Sequence, residues 1–427
     1  MKILHVIQRY WPYTGGSERH FQEISERLAR RGHDVRVLTT DARDLELFWN
    51  PDKERIPVRR ETHNGVEIWR VPVRHLPGRN LAFGGIRRAM AILDRVPGTA
   101  PLLRHLSRFV PWVPDLAGAL AEVGDGVDIV NGMNICFESL LLPTFDWSQR
   151  KRIPFIVTPL IHLGESERSI VRRFYTMQHQ IALIGQSDAV LAQTPIEIGY
   201  LKGRGVSADR IVLAGVGVNP DDLLGGLGAR FRATTGIQGQ IVAYIGTAAY
   251  DKGTVHLVEA MERLWERGGE AELVLAGPAL DSFQAFLERI APAHRSRIHV
   301  LGFISEELKR DLLDALTLLA MPSRTDSFGI VYLESWLYRK PVIGARAGGV
   351  PAVIDDGRDG FLVDFGDVSV LAERIDELLA HPDLRQALGD NGNAKVNDRF
   401  TWDRLYPTIE EVYEHRCQRP TTNLQAR

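Results

Sequence analysis

Cysteine is nearly missing from this chain: Cys136 and Cys417 are the only two in 427 residues, and neither stands at a metal-ligand spacing. A disulfide framework is thereby excluded, and a reducing, cytosolic setting is expected. Charge of one sign is missing as well, with 52 Lys and Arg against 54 Asp and Glu, so nothing global points to nucleic acid or an acidic polymer. No apolar run approaches bilayer-spanning length, and the stretch after Met1-Lys2, Ile3 to Ile7, is too short for the core of a signal peptide. A G-x-G-x-x-G after the first strand is absent, which disfavours a dehydrogenase. So is any Asp-x-Asp, and no metal-bridged diphosphate is expected. What remains is an ordinary globular composition, 44% hydrophobic and 25% charged, in a chain long enough for two or three domains.

The most informative stretch runs Met321-Pro-Ser-Arg-Thr-Asp-Ser-Phe-Gly-Ile-Val-Tyr-Leu-Glu334. Leu318 to Met321 has the length of a buried strand. Ile330 to Tyr338 is apolar at helical spacing until Lys340-Pro341 stops it. Pro322 to Gly329 is therefore a loop between a strand's carboxyl end and a helix's amino end, where free N–H groups and the helix dipole attract phosphate. Asp326 and Glu334 stand either side of the helix start, placed to accept hydrogen bonds from sugar hydroxyls. Phosphate donors beside hydroxyl acceptors suggest a nucleotide-sugar site. The plainer reading is a strand–loop–helix crossover with a capping Asp and a surface Glu.

The chain opens with a strand (Ile3 to Ile7), an aromatic and Gly-rich loop (Arg9 to Gly16), a helix ending at Gly32 and a strand from Asp34 to Thr39. Strands are expected again at Val66 to Val71, Val127 to Val130, Phe155 to Thr158, Ala189 to Ala192 and Ile211 to Ala214. Between the third and fourth lies an insertion, about 74–118, in which Arg79, Arg87, Arg88, Arg95, Arg104 and Arg108 alternate with apolar and aromatic residues. Such helices can lie on an anionic membrane surface, or simply pack on the domain with solvated arginines. The pattern restarts after a linker near Asn219-Pro220: strand Ile241 to Ile245, loop Gly246 to Gly253, a helix, and strand Ala271 to Ala276. Lys252, before that helix, suits a diphosphate, or is an ordinary surface Lys. Asn131 and Asn134, at the end of the fourth strand, either bind hydroxyls or cap a turn.

Pro322-Ser323, Asp326-x-Phe328-Gly329 and Glu334, eight positions after Asp326, resemble the signature of the retaining glycosyltransferases of family four, also called group one. Asp326 stands where that family carries its first Glu. Gly15-Gly16 with Glu18, Arg31 to Val35, Lys252-Gly253, Gly277-Pro278, Gly302-Phe303 and Gly348-Gly349 follow in the family's order, and the likeness covers nearly the whole chain. It is weakest in the basic insertion. The resemblance implies the GT-B architecture: α/β, two doubly wound parallel-sheet (Rossmann-like) domains facing across a cleft. Residues 1–219 would form the acceptor side, 220–400 the donor side, and 401–427 a helix crossing back plus a loose polar tail.

The implied reaction moves a hexose from a nucleotide diphosphate sugar to an acceptor hydroxyl, on a saccharide or a lipid-linked glycan, with retention. No cofactor and no metal are implied. Lys252, Asp326 and His162 would serve the chemistry. Gly15, Gly16, Thr247, Phe303, Ser327, Phe328, Gly329, Ile330 and Glu334 would complete the donor site, with Asn131 and Asn134 toward the acceptor. Thr247 replaces the Arg of the family's Gly-Arg pair, and Arg324 is a candidate for the missing charge. A cytoplasmic enzyme, peripheral on the inner face of a membrane, is the expectation. The alternatives are a GT-B sugar-nucleotide hydrolase or epimerase, and a non-catalytic nucleotide-sugar binder marked by Asp326 and Thr247.

Overall fold

The structure is a computed structural model that describes residues 1–13 and 15–418. The expected tail, 419–427, lies outside the described residues. Contacts divide the chain into two compact units, one made of 1–161, 172–215 and the residues from Tyr406 on, the other of 162–171 and 216–405. By contacts Gly215 and Val216 fall in different units, and the short segment 162–171 packs with the second unit. The last helix, Trp402–Gln418, begins in the second unit and continues in the first.

Eight strands form the sheet of the first unit: β1 (Lys2–Val6), β2 (Asp34–Thr40), β3 (Arg60–His63), β4 (Val66–Val71), β5 (Ile129–Met133), β6 (Phe155–Thr158), β7 (Ala189–Ala192) and β8 (Ile211–Leu213). Their order is β3-β4-β2-β1-β5-β6-β7-β8. All pairings are parallel except β3 with β4. The second sheet holds β9 (Ile241–Ile245), β10 (Glu272–Ala276), β11 (Ile298–Gly302), β12 (Leu318–Met321), β13 (Val342–Ala345) and β14 (Gly360–Val363), in the order β11-β10-β9-β12-β13-β14 and wholly parallel. Helices on both faces explain why the central strands read as unbroken apolar runs; every residue of β9 is buried. This is the doubly wound fold, twice over.

Two strand readings need correction. The polar β3 was not expected; it pairs with β4 through Asn64-Gly65, whose φ values of 48° and 81° are those of a two-residue hairpin turn. The fourth expected strand begins and ends later, at Ile129–Met133, so Asn131 is inside it rather than at its end.

The insertion forms helices Arg79–Leu93 and Ala100–Ser107, but its arginines are not all solvated. Arg87 is buried and grips both oxygens of Glu138, at 2.9 and 3.0 Å. Gln180 and His179 also approach that carboxylate, at 2.7 and 3.2 Å. Arg104 pairs with Asp146 at 2.5 Å.

The first unit is stitched by a buried polar chain. Ser25 Oγ donates to the Phe21 carbonyl, which leaves its lone pairs to accept from His5 Nδ1 at 2.7 Å. His5 Nε2 is then an acceptor, and burial pushes its pKa down to about 3, so the ring stays neutral. The Tyr413 hydroxyl donates to that nitrogen at 2.9 Å and accepts from Asn131 Nδ2 at 2.5 Å. Removing the hydroxyl would strand an imidazole nitrogen and an amide in the core. We expect Tyr413→Phe to lose about 2–4 kcal/mol in chemical denaturation; a loss under about 0.5 kcal/mol would show the stitch to be dispensable.

Candidate functional site

The strand order of the second sheet changes direction between β9 and β12, so the loops leaving their carboxyl ends part and open a crevice. The loop after β9 carries Lys252 and the loop after β12 carries Asp326. Lys252 Nζ donates to Asp326 Oδ1 at 2.6 Å. Two glycines let the loops come this close. A Cβ on Gly253 would lie 2.1 Å from the Pro322 carbonyl oxygen, and one on Gly348 would lie 2.2 Å from that of Asp326. Both have positive φ, 74° and 58°. The Gly349 N–H donates to the Asp326 carbonyl at 3.1 Å, and the Gly348 N–H to that of Gly164 at 2.9 Å.

His162, the first residue of segment 162–171, lies in the same unit and feels both charges of the pair. Burial, and then the Lys252 ammonium, push its pKa down to about 3, with Asp326 opposing. It is a neutral ring at physiological pH. For Asp326, burial alone would raise the carboxyl, but the Lys252 ammonium and its hydrogen bond, with His162, hold it below the usual carboxylate value. The structure therefore brings His162, Lys252 and Asp326 together.

Helix Ile330–Leu337 starts at Gly329, with no side chain capping it. None of the amides of Ser327, Phe328, Gly329 or Ile330 donates a hydrogen bond among the described residues. One turn on, Glu334 is 2% exposed. Its Oε1 accepts from Lys309 Nζ at 3.0 Å, while its Oε2 is buried with no partner. Asp326 repeats the arrangement: one oxygen on a lysine, the other buried and bare. Buried acceptors without partners are costly and few in folded proteins, and a ligand's hydroxyls would satisfy these.

Lys309 was missed in the sequence. Its helical neighbour Glu306, at 3.1 Å, was visible as an i,i+3 pair, but Glu334 lies 25 residues away. Arg324 is a correction: it donates to Asp251 at 2.9 and 2.5 Å and to Glu165 at 3.3 Å, so its charge is already spent. Thr247 stays in the β9 loop, its carbonyl accepting from the buried Tyr244 hydroxyl at 2.9 Å. Phe303 follows β11 and is 66% exposed.

In the first unit, Gly15 is the N-cap of helix Gly16–Arg30. Asn131 is another correction. It is fully buried, with Nδ2 on Tyr413 and Oδ1 accepting from Thr158 Oγ1 at 3.3 Å, so its amide has no hydroxyl to seek. Asn134 does lie just past β5, in the left-handed region at φ 73°, with Oδ1 buried and without a partner.

Two family models match, the "Glycosyl transferase 4-like domain" over residues 15–217 and "Glycosyl transferases group 1" over 230–395. The chain is 27% identical to a D-inositol 3-phosphate glycosyltransferase of Xylanimonas cellulosilytica, over 95% of this chain and 93% of that one. It is 31% identical to the alpha-D-kanosaminyltransferase of Streptomyces kanamyceticus, over 40% of this chain and 46% of that enzyme, so the match spans under half of that relative. Among solved structures, Anabaena Alr3699/HepE in complex with UDP and glucose superimposes with a TM-score of 0.72 at 18% identity, covering 97% of this chain and 99% of that one. The fold is GT-B.

Lys309 supplies the charge that makes a buried Glu334 tolerable. Lys309→Met should cost about 3–5 kcal/mol in chemical denaturation, because one carboxylate is left uncompensated. Adding Glu334→Gln should recover most of it; a double variant as unstable as the single one would show that the pair is not the cause.

Proposed function

The chain belongs to the glycosyl transferases of group 1, and from that membership we propose that it moves a hexose from a nucleoside diphosphate sugar to an acceptor hydroxyl with the anomeric configuration retained. The observation that carries this reading is the pair of half-satisfied carboxylates, Asp326 and Glu334, on either side of undonated amides at a helix start. That arrangement supports a ligand with hydroxyls at both ends and negative charge between them. In this reading Glu334 Oε2 accepts from the ribose, and Asp326 Oδ2 and neutral His162 meet the hexose hydroxyls. The amides of Ser327 to Ile330 and the Lys252 ammonium face the diphosphate.

The bond from the anomeric carbon to the diphosphate oxygen breaks, and the acceptor oxygen bonds to that carbon on the same face. The acceptor's proton passes to the departing diphosphate. Asp326 is not assigned as a covalent nucleophile, because its Oδ1 is committed to Lys252. Charge gathering on the leaving group is met by groups already in place, which lowers the barrier without reorganisation. Thr247 brings no second cation, so Lys252 carries more of this task than in a Gly-Arg relative. Neither a metal nor a cofactor is assigned.

We also assign the acceptor as a glycan, lipid-linked in one form, approached with the help of an anionic membrane. Among the described side chains of the insertion, Arg87 and Arg104 are paired and Arg74 lies 3.9 Å from Asp115, while Arg88, Arg95 and Arg108 are exposed, as are Leu81, Ile92, Val96 and Leu102. That face suits acidic headgroups and their acyl boundary. No helix among the described residues is long and apolar enough to cross a membrane.

The first test is nucleotide release from UDP-, GDP- and ADP-hexoses, starting from UDP because it occupies the Anabaena relative. Release from one donor, strongly raised by a saccharide or lipid-linked acceptor, is expected. Equal release without acceptor would make the protein a hydrolase and sink the transferase reading. Lys252→Ala should lower kcat about a hundred- to a thousandfold. Vesicles rich in phosphatidylglycerol should sediment the protein, and Arg88→Glu with Arg95→Glu should abolish this; equal binding to neutral phosphatidylcholine would overturn the membrane assignment.

A further inference from the structure

Just past β6 the chain makes a turn that its own residues do not favour. Leu160 has φ 54°, a left-handed conformation that L residues seldom adopt and that persists only where surroundings impose it. Ile161 follows, and His162 is next. The Ile161 N–H donates to Glu197 Oε1 at 2.9 Å. The other oxygen, Oε2, accepts from the Gln193 N–H at 2.8 Å. Glu197 itself is 3% exposed and its own N–H is held by Thr194 Oγ1 at 3.2 Å. One buried carboxylate thus clamps the exit of β6 to the exit of β7 through both of its oxygens.

We propose that Glu197 is a positioning residue for the glycosyl transfer, fixing the Leu160–Ile161 turn so that His162 and the segment behind it reach the Lys252–Asp326 pair. This rests on the proposed function, in which His162 contacts the donor hexose. Among the described residues only backbone N–H groups donate to Glu197; the cation on the neighbouring helix Ile170–Tyr175, Arg172, stands over the Tyr200 ring at 4.7 Å. Strands β7 and β8, which pack on its helix (Pro195–Gly203), bear no titratable group, and Lys202 of that helix is exposed. Burial dominates, against the two amides, and raises the Glu197 pKa from 4.5 to about 7.

The clamp is therefore pH-sensitive. An ionised carboxylate serves both amides; a protonated one has a single accepting oxygen and turns its O–H toward the second N–H. Its folded pKa lies above its unfolded one, so its contribution to stability is fullest below about 4.5 and falls as pH rises through about 7. Positioning and stability consequently pull in opposite directions.

Glu197→Gln keeps one acceptor and turns an amide N–H₂ toward the other N–H. It should lower kcat about tenfold to a hundredfold with KM little changed, remove the acid limb of the kcat–pH profile near pH 7, and speed hydrogen exchange at Ile161. Its melting temperature should gain on the parent's as pH rises from about 4.5 to about 7, the other titrating groups being common to both. Wild-type kcat and pH profile in Glu197→Gln, with His162→Ala crippled, would overturn the clamp while leaving the functional reading intact. Full activity in His162→Ala would sink that reading, and the proposal with it. Should Glu197→Gln fail to fold, the parent protein decides: protection of the Ile161 or the Gln193 amide, corrected for intrinsic rate, must fall between pH 8 and pH 5.5, and constant protection of both would overturn the proposal.

Discussion

The ion pair between Lys252 and Asp326 is the constraint on which the second unit's chemistry depends. It joins the loop after β9 to the loop after β12, the two that part at the change of strand direction. A charge this deeply placed is tolerable only with its partner, so each loop's conformation is held by the other's side chain. Where Asp326 rests in turn places the amides of Ser327 to Ile330, and Gly253 and Gly348 are glycines because those contacts leave no room for a Cβ. An Asp in place of the family's Glu is one methylene shorter, and the pair closes at 2.6 Å all the same.

Much of this was legible in the sequence, for a physical reason. Strands buried on both faces must be apolar throughout, and so β9, β12, β6 and β7 were recognisable to the residue. The loops between them advertise themselves through glycine and proline. By contrast β3, Arg-Glu-Thr-His, is a half-exposed edge strand whose burial alternates without an apolar face, leaving the Asn64-Gly65 turn as its one sequence signal. β5 was misplaced because Asn131 and Gly132 interrupt its apolar run, although both are buried.

Side-chain partnerships were the part that could not be read. Arg324 had the right charge and position for a diphosphate, and only three dimensions reveal Asp251 and Glu165 already upon it. Asn131 had the right chemistry for a hydroxyl, but Tyr413, 282 residues away, takes its amide. Lys309 reaches Glu334 across 25 residues, and its helical pairing with Glu306 gives no hint of that contact. In each case the deciding contact is remote in the chain, and composition and periodicity carry no information about it.

The grip of Arg87 on Glu138 bears on how this fold diversifies. The helices between 79 and 107 form a cassette whose inner face supplies the counter-ion for a carboxylate that belongs to the scaffold. Gln180 and His179 lean on that same carboxylate from a third helix, so the scaffold is built around the cassette's cation. A cassette transplanted from a relative is compatible only if it brings a guanidinium to position 87 or is set into a scaffold with a neutral residue at 138. Exchange of this pair of helices between related chains therefore has a lock, and the two residues that must match are identifiable in advance.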